Sequence, residues 1–377
     1  MTLHVREVRG DAPAADAEVD VFLDACPSSF AQQTVAWREV ITRTGSDRPV
    51  FLGCWEDDDL VGVLPAYRFE GPLGAILTSV PQAGPLGGVA IAPDADPDPV
   101  YRALLDAYLK LARDTDCALA SLITNPLWPD RPRYERARAP DFVLENVCQV
   151  LDLASALSDG GEIVGAGTNL SRNLRKASSG AIRIDDEQTP ENVASWYGLH
   201  VTRHREIGAT PLPEALFVAA LEHAVPKNKA RFFFVRDTAT DAMVGGGFYV
   251  YHAQVMDALM PSMRREAAAL APNYLLAIHS MCWARDHGIR YYNWQASPPD
   301  GGVHRFKRQW GSTDRPYAYL TWTTGDAAPF LASTVAEVSR AYPWHYVLPF
   351  DRIGVGAGRT GPSARRDAWA ARESERE

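Results

Sequence analysis

PVFLGCWEDDDLVGVLPAYRF (Pro49–Phe69) and ARFFFVRDTATDAMVGGGFYVY (Ala230–Tyr251) state one pattern twice. Each is an apolar run rich in aromatic and β-branched residues, then a charged turn. A Val-Gly pair opens the second apolar run: Val61-Gly62 in the first copy, Val244-Gly245 in the second. Such paired runs read as β-hairpins. After each comes an irregular stretch, then a helix opening on a proline (Pro99; Pro272), then a short apolar strand (Ala118–Ile123; Ile289–Trp294). The copies lie about 180 residues apart, which is the size of one domain. The pattern predicts an α/β protein with mixed sheets, built as two tandem lobes with a central cleft. The expected lobes are residues 1–157 and 166–335, with a flexible tail over 350–377. A ligand site falls most naturally between two such lobes.

The bulk numbers narrow the function classes. The chain has 377 residues, 46% of them hydrophobic, which is enough for two cores. Its net charge of −9 argues against a protein that binds by broad phosphate neutralisation, so no DNA partner is expected. The first ten residues, MTLHVREVRG, lack the apolar core of a secretory signal. No apolar run approaches the roughly 20 residues that span a bilayer. The five cysteines are dispersed and form no CxxC pair, so neither zinc nor a disulfide framework is indicated. Together these features read as a cytoplasmic protein with no metal and no tightly bound cofactor.

Along the chain, Leu3–Glu7 reads as a strand and Ser28–Thr44 as a helix around Trp37. The helix from Asp98-Pro99 buries Val100, Leu104, Leu105, Tyr108, Leu111 and Ala112 at helical spacing. Val147–Leu153 is expected to close the first lobe as its last strand. Asp159–Thr168 is Gly-rich and reads as the join. Asn169–Ser178 is a short basic helix carrying Arg172, Arg175 and Lys176. A strand is expected near Gln254–Met260. Gly354, Gly356, Gly358 and Gly361 mark the tail as a linker.

Two places carry chemistry. The first is the helix start at Ala271-Pro272-Asn273-Tyr274, preceded by Arg264 and Arg265. The first N–H groups of a helix have no partner within it, and with the dipole they hold anions. Arg264, Arg265, Asn273 and Tyr274 are therefore candidate binders of a phosphorylated donor; solvated arginines beside a surface cap are the plain alternative. The equivalent start in the first lobe, Asp98-Pro99, is acidic and would repel an anion. The second place is Gln295-Ala296-Ser297, a Gly301-Gly302 loop, and Arg305-Phe306-Lys307-Arg308-Gln309-Trp310-Gly311. Phe306 and Trp310, four apart, anchor the segment while Lys307 projects elsewhere, placed to meet a phosphate or a developing negative charge. Gln295, Ser297, Arg305, Trp310 and Arg175 are the candidate acceptor contacts. Asp257 and Tyr251 sit on second-lobe strands, where a carboxylate or phenol can serve as base or acid. His200 and His204, spaced i and i+4, lack a third ligand and read as helix-surface histidines.

These residues resemble the FemAB-like branch of the GNAT acyltransferase superfamily over about residues 25–325. In the first lobe the likeness rests on Ser29-Phe30 with Trp37, Leu60-Val61-Gly62-Val63-Leu64-Pro65, and Leu77-Thr78-Ser79-Val80-Pro81 with Gly87-Gly88. In the second it rests on Asn169-Leu170-Ser171-Arg172-Asn173-Leu174-Arg175-Lys176-Ala177, Pro272-Asn273-Tyr274-Leu275-Leu276, Gly288-Ile289 and Phe306-Lys307 with Trp310-Gly311. The resemblance implies two GNAT lobes and transfer of an acyl or aminoacyl group to an amine. The implied co-substrate is aminoacyl-tRNA, met at its 3′ end, or acyl-CoA. The implied acceptor is a small-molecule amine or a cell-wall precursor. Lys307 falls on the family's cation near the reaction centre.

The chain departs from that pattern in two places. Tyr292-Asn293-Trp294-Gln295 stands where an acidic residue and a glycine are usual. Arg265-Glu266-Ala267-Ala268-Ala269-Leu270 replaces the Gly-rich pyrophosphate loop of acetyl-CoA enzymes. The expected function is an N-acyltransferase. The alternative is a ligand-binding protein that keeps the twin lobes without the chemistry.

Overall fold

Each of the two quoted stretches forms a hairpin, one in each of two compact units. The computed structural model describes residues 3–8, 13–45, 47–79, 86–297, 299–349 and 352–353. It divides into two compact units, Met1–Asn146 with Pro316–Glu377, and Val147–Arg315.

The first unit contains β1 (Leu3–Val8), β2 (Asp47–Glu56), β3 (Asp59–Gly71), β4 (Gly74–Thr78), β5 (Ala90–Ile91) and β6 (Cys117–Ile123). β7 (Phe142–Asp152) leads into the second unit, which continues with β8 (Ile182–Asp185), β9 (Ala230–Asp237), β10 (Met243–His252), β11 (Val255–Met263) and β12 (Tyr291–Ala296). β13 (Thr313–Thr323) returns to the first. The strand order is β1-β2-β3-β4-β6-β13 in the first unit, with β5 on β3, and β7-β12-β11-β10-β9-β8 in the second.

The repeat is visible in the pairing. The quoted hairpins are β2–β3 and β9–β10, both antiparallel. In each unit a parallel pair follows, β4 with β6 and β11 with β12. A parallel pair needs a crossover, and the helices Pro97–Asp114 and Pro272–Asp286 supply it. The first of these starts two residues before the expected Asp98-Pro99. Asp96 caps it by accepting from Asp98 N at 3.3 Å, with Pro97 in the first turn. Val100, Leu104, Leu105, Tyr108 and Ala112 are buried along it, and Leu111 packs at the edge of that core.

The closing strands are exchanged in sequence, against expectation. Val147–Leu153 does not finish the first unit: β7 runs antiparallel to β12, with Leu151 opposite Tyr292 and Cys148 opposite Ala296. The strand beside β6 is instead β13, with Leu320 opposite Leu122. The unit boundaries therefore fall at 146/147 and 315/316, away from the expected 1–157 and 166–335. Sequential strands are usually neighbours, and a partner about 200 residues distant leaves no local signature. The 350–377 tail lies outside the described residues except for 352 and 353.

The second core is built between the sheet and the Pro272 helix. Leu151, Phe233, Tyr249, Met256 and Tyr292 meet Leu276, Ala277, Met281 and Ala284 there. On β10, a side chain at Gly246 would meet the backbone oxygen of Phe233 at 2.9 Å and the Trp196 ring at 2.7 Å. Neither neighbour can step aside easily. Gly246→Ala should therefore destabilise the protein by about 1–3 kcal/mol, read as a lowered urea midpoint with an unchanged slope.

Candidate active site

β11 and β12 pair over three rows only: Val255 with Tyr291, Met256 with Tyr292, Asp257 with Asn293. Both strands continue, to Met263 and Ala296, without further pairing to each other. Each is irregular just past that row. β11 carries one extra residue, Leu259, against β10. β12 carries one extra residue against β7, between Asn293 and Ala296. A bulge leaves a residue out of the ladder and re-aims its neighbours.

At the last shared row two buried polar side chains meet. Asp257 is 1% exposed and Asn293 fully buried. Asn293 Nδ2 donates to Asp257 Oδ1 at 2.7 Å, and Gln295 Nε2 donates to the same oxygen at 2.9 Å. Gln295 has a left-handed backbone, φ +64°, which costs a non-glycine residue about 1–2 kcal/mol. Asn293 Oδ1 accepts from Gln295 N at 3.0 Å and holds that turn. The side chain that orients Asp257 thus also fixes the strained residue that makes its second bond.

Lys307 reaches the same strand end from the helix Gly302–Arg308. Its Nζ donates to the backbone oxygens of Gln295 at 2.9 Å and Ala296 at 3.2 Å. It is 6% exposed. Burial lowers its pKa from 10.5 to about 8, and the Cys148 thiol opposes that shift. Burial likewise pushes Cys148 up to about 12; the Asp257 charge adds to the rise and Lys307 resists it. Cys148 is thus an electrostatic neighbour of both Asp257 and Lys307.

The helix bearing Lys307 is pinned from two sides. Ser297 Oγ donates to Gln149 Oε1 at 2.7 Å, and Gln149 Nε2 donates to His304 O at 3.2 Å. His304 Nε2 lies 3.2 Å from Asp314 Oδ1. On the other side Phe306 and Trp310 pack with Trp294 and Tyr274, ring centroids 5.3–6.0 Å apart. Gln309 ties the end of this segment to two further helices, accepting from Asn169 and donating to the Tyr274 hydroxyl, each at 3.3 Å.

The Pro272 helix opens on Ala271, φ +57°, with no side-chain cap. Pro272 carries no N–H and Tyr274 N donates to Ala271 O at 3.0 Å, so Asn273 N is the first-turn donor left to meet an anion. Asn273 and Tyr274 sit half-buried in that turn. Arg264 donates through Nε to Met243 O at 2.7 Å, and Arg265 starts a short 3-10 turn with its side chain exposed.

The structure brings together Asp257, Gln295, Ser297 and Lys307, and ties Tyr274 and Trp310 to them. Other expected site residues stand apart. Tyr251 lies opposite Met256 in the β10–β11 ladder, so it shares Met256's face and not that of Asp257. It packs on Trp283, ring centroids 5.0 Å apart. Arg175 is exposed and bonds back to Ser171 O, and exposed Arg305 bonds to Asp300 O. His200 is not a surface histidine. It is fully buried, accepts from Leu212 N at 3.2 Å, and burial lowers its pKa to about 3. No metal-holding cluster occurs among the described residues.

Sequence reasoning does not reach Cys148 and Gln149 as site neighbours, because the pattern places Val147–Leu153 in the first unit while β7 pairs with β12. In the sequence Asn293 stands only as a departure from the family pattern; the parallel register places it opposite Asp257.

Residues 166–308 match the family described as Acetyltransferase (GNAT) domain. No curated protein sequence matches the chain. Among solved structures, FemX is similar at 12% identity and TM-score 0.67, covering 84% of this chain and 97% of that one. A tandem GNAT protein from the clavulanic acid biosynthesis pathway is similar at 14% identity and TM-score 0.53, covering 86% and 99%. The C-terminal domain of a putative lysylphosphatidylglycerol synthetase from Agrobacterium fabrum is similar at 12% identity and TM-score 0.56, covering 89% and 100%. At these identities the likeness is one of fold. The chain therefore has the tandem GNAT fold that its sequence resembles, and its second unit carries an acyltransferase domain of the GNAT type.

Two outcomes follow for the site. Gln295→Gly and Gln295→Ala both lose the bond to Asp257, but only glycine relieves the backbone. The glycine variant should be more stable by roughly 1 kcal/mol in chemical denaturation. Lys307 holds its proton to higher pH unfolded than folded, so its burial opposes folding below pH 8. Stability relative to Lys307→Met should rise between pH 8 and 10.5, by on the order of 3 kcal/mol.

Proposed function

We propose that this tandem GNAT protein transfers an acyl group from acyl-CoA to a small-molecule amine, with the chemistry at the Asp257 row of the second unit. The observation that carries the reading is that Gln295 joins Asp257 to Lys307 where β11 and β12 cease to pair: its side chain bonds the carboxylate and its backbone oxygen accepts from Lys307 Nζ. The uncapped start of the Pro272 helix follows β11 in the chain. A parting pair of parallel strands offers a slot for an extended donor. The helix start offers the dipole and the Asn273 N–H for its diphosphate.

The residues would act as follows. The amine nitrogen bonds to the donor's carbonyl carbon and a tetrahedral oxyanion forms. The carbon–sulfur bond then breaks and the thiolate leaves. The proton shed by nitrogen passes to the Asp257 carboxylate, and from there to the leaving group or solvent. Asn293 and Gln295 both grip Oδ1 and aim the carboxylate. Lys307, protonated at neutral pH, spends two N–H donors on the carbonyls of Gln295 and Ala296. Its third N–H is left for the oxyanion, in a buried setting where such a contact is strong.

The donor choice is supported by charge. A net charge of −9 suits a compact diphosphate ligand better than a long polyanion. The test is thiol release from acetyl-CoA in the presence of an amine panel, with and without ribonuclease. Amine-dependent release unaffected by ribonuclease is expected. Activity only with aminoacyl-tRNA, lost on ribonuclease treatment, would move the donor to that class. Binding of acetyl-CoA without turnover on any amine would favour the ligand-binding alternative.

Asp257→Asn should lower kcat by about 10²–10⁴ with its melting temperature near that of wild type. The wild-type rate should fall as pH rises through about 8, where Lys307 gives up its charge. Lys307→Met should be slower throughout and lack that fall.

A further inference from the structure

Gln149 is fully buried on β7, between Cys148 and Val150. Val150 pairs with Asn293 and Cys148 with Ala296. Two residues of β12, Trp294 and Gln295, therefore stand opposite the single residue Gln149. That is the geometry of a bulge, and Gln149 is the residue that faces it. An amide enclosed among Cys148, Val150 and Leu151, all buried, is costly unless both of its ends are bonded. Both are. Its oxygen accepts from Ser297 Oγ at 2.7 Å, and its nitrogen donates to His304 O at 3.2 Å. Ser297, read from the sequence as an acceptor contact, turns its hydroxyl proton to Gln149 instead.

These two partners belong to the two pieces that Lys307 joins. Ser297 directly follows β12, whose end supplies the carbonyls of Gln295 and Ala296. His304 lies on the helix Gly302–Arg308, three residues ahead of Lys307. Phe306 and Trp310 pin the far end of that segment, while its start follows Gly301 with no side-chain cap. A helix of seven residues has little stability of its own. Its first turn is tied from two directions: to the exposed carboxylate of Asp314 through His304 Nε2, and to the strand end through Gln149.

We propose that Gln149 is a positioning residue for Lys307: by spanning Ser297 and His304 it sets the gap between strand end and helix, and so keeps Nζ on both carbonyls. The proposal goes beyond the acyl-transfer reading and rests on it only where turnover is measured. Without the clamp the helix start is free to part from the strand, and water reaches the ammonium. The burial that lowers the Lys307 pKa to about 8 is then relieved. Gln149→Leu and Ser297→Ala remove no charge. The titratable groups around Lys307 stay in place: the Cys148 thiol of β7, pushed up to about 12, with its own neighbours Asp257 and Arg315, and His304 with Asp314. A shifted titration therefore reports position.

The test labels lysine Cε with carbon-13 in the full chain and follows the titration by NMR. The lysines are Lys110, Lys176, Lys227, Lys229 and Lys307, and the signal missing in Lys307→Met is that of Lys307. It should titrate at about 8 in the wild type. In Gln149→Leu it should rise by at least about one pH unit. Ser297→Ala, which removes one of the two bonds, should move it the same way by less, and decides the matter if Gln149→Leu does not fold. Gly246→Ala, a destabilising change on β10, should leave it in place, which separates position from general loss of stability. In the thiol-release assay Gln149→Leu should lower kcat about 10–100-fold and leave the acyl-CoA KM within about twofold. Its alkaline fall should move to higher pH with the NMR signal. A Lys307 signal that stays at or below about 8 in the folded variants would overturn the proposal, and so would an unchanged kcat. A wild-type protein that releases no thiol would overturn the acyl-transfer reading instead, and the titration would still decide the role of Gln149.

Discussion

One buried carboxylate organises the second unit. Asp257 sits at the last row shared by two parallel strands, β11 and β12, which past it pair only with their other neighbours. A carboxylate enclosed there needs hydrogen-bond donors, and it takes them from Asn293 and Gln295 on the neighbouring strand. Gln295 reaches it only because β12 bulges and turns left-handed. The carbonyls exposed by that turn in turn receive Lys307. Carboxylate, strained turn and buried cation are one arrangement; loosening any of them releases the others. Strain of this kind persists where the surroundings over-determine it, and such places tend to be functional.

The two units use the same plan differently. In the first, the crossover helix starts with a capping Asp96, and Asp98 in its first turn pairs with Arg133 and Arg136. Those contacts hold the Asp98 carboxyl below its usual range. That helix start already has its negative charge. In the second, Ala271 offers no capping side chain and Asn273 N has no partner within the helix. A duplicated frame with one filled and one open helix start agrees with chemistry confined to a single copy.

Much of this was legible in the residues. The hairpins, the Pro272 helix and the parallel strand after it follow from hydrophobic spacing and proline placement, which act locally. Lys307 could be singled out because Phe306 and Trp310 flank it at anchoring positions. What stayed hidden depends on pairing at long range. β7 and β13 enter units that their sequence neighbours do not predict, so Cys148 and Gln149 could not be seen beside Lys307. Tyr251 looked equivalent to Asp257 because both sit on adjacent strands. Only the register, Tyr251 opposite Met256, assigns them to opposite faces. His200 looked like a surface residue, and its burial comes from Trp196 and Phe217, which pack around it.

The central claim is that the opening at the Asp257–Asn293 row is where donor and acceptor meet. A crystal structure with a non-hydrolysable thioether analogue of acyl-CoA tests it most directly. The expected result is the diphosphate at the start of the Pro272 helix, on Asn273 N, and the thioether carbon between β11 and β12 within reach of Asp257 and Lys307. An analogue bound elsewhere, with the Asp257–Asn293–Gln295 bonds enclosed and untouched, would contradict it.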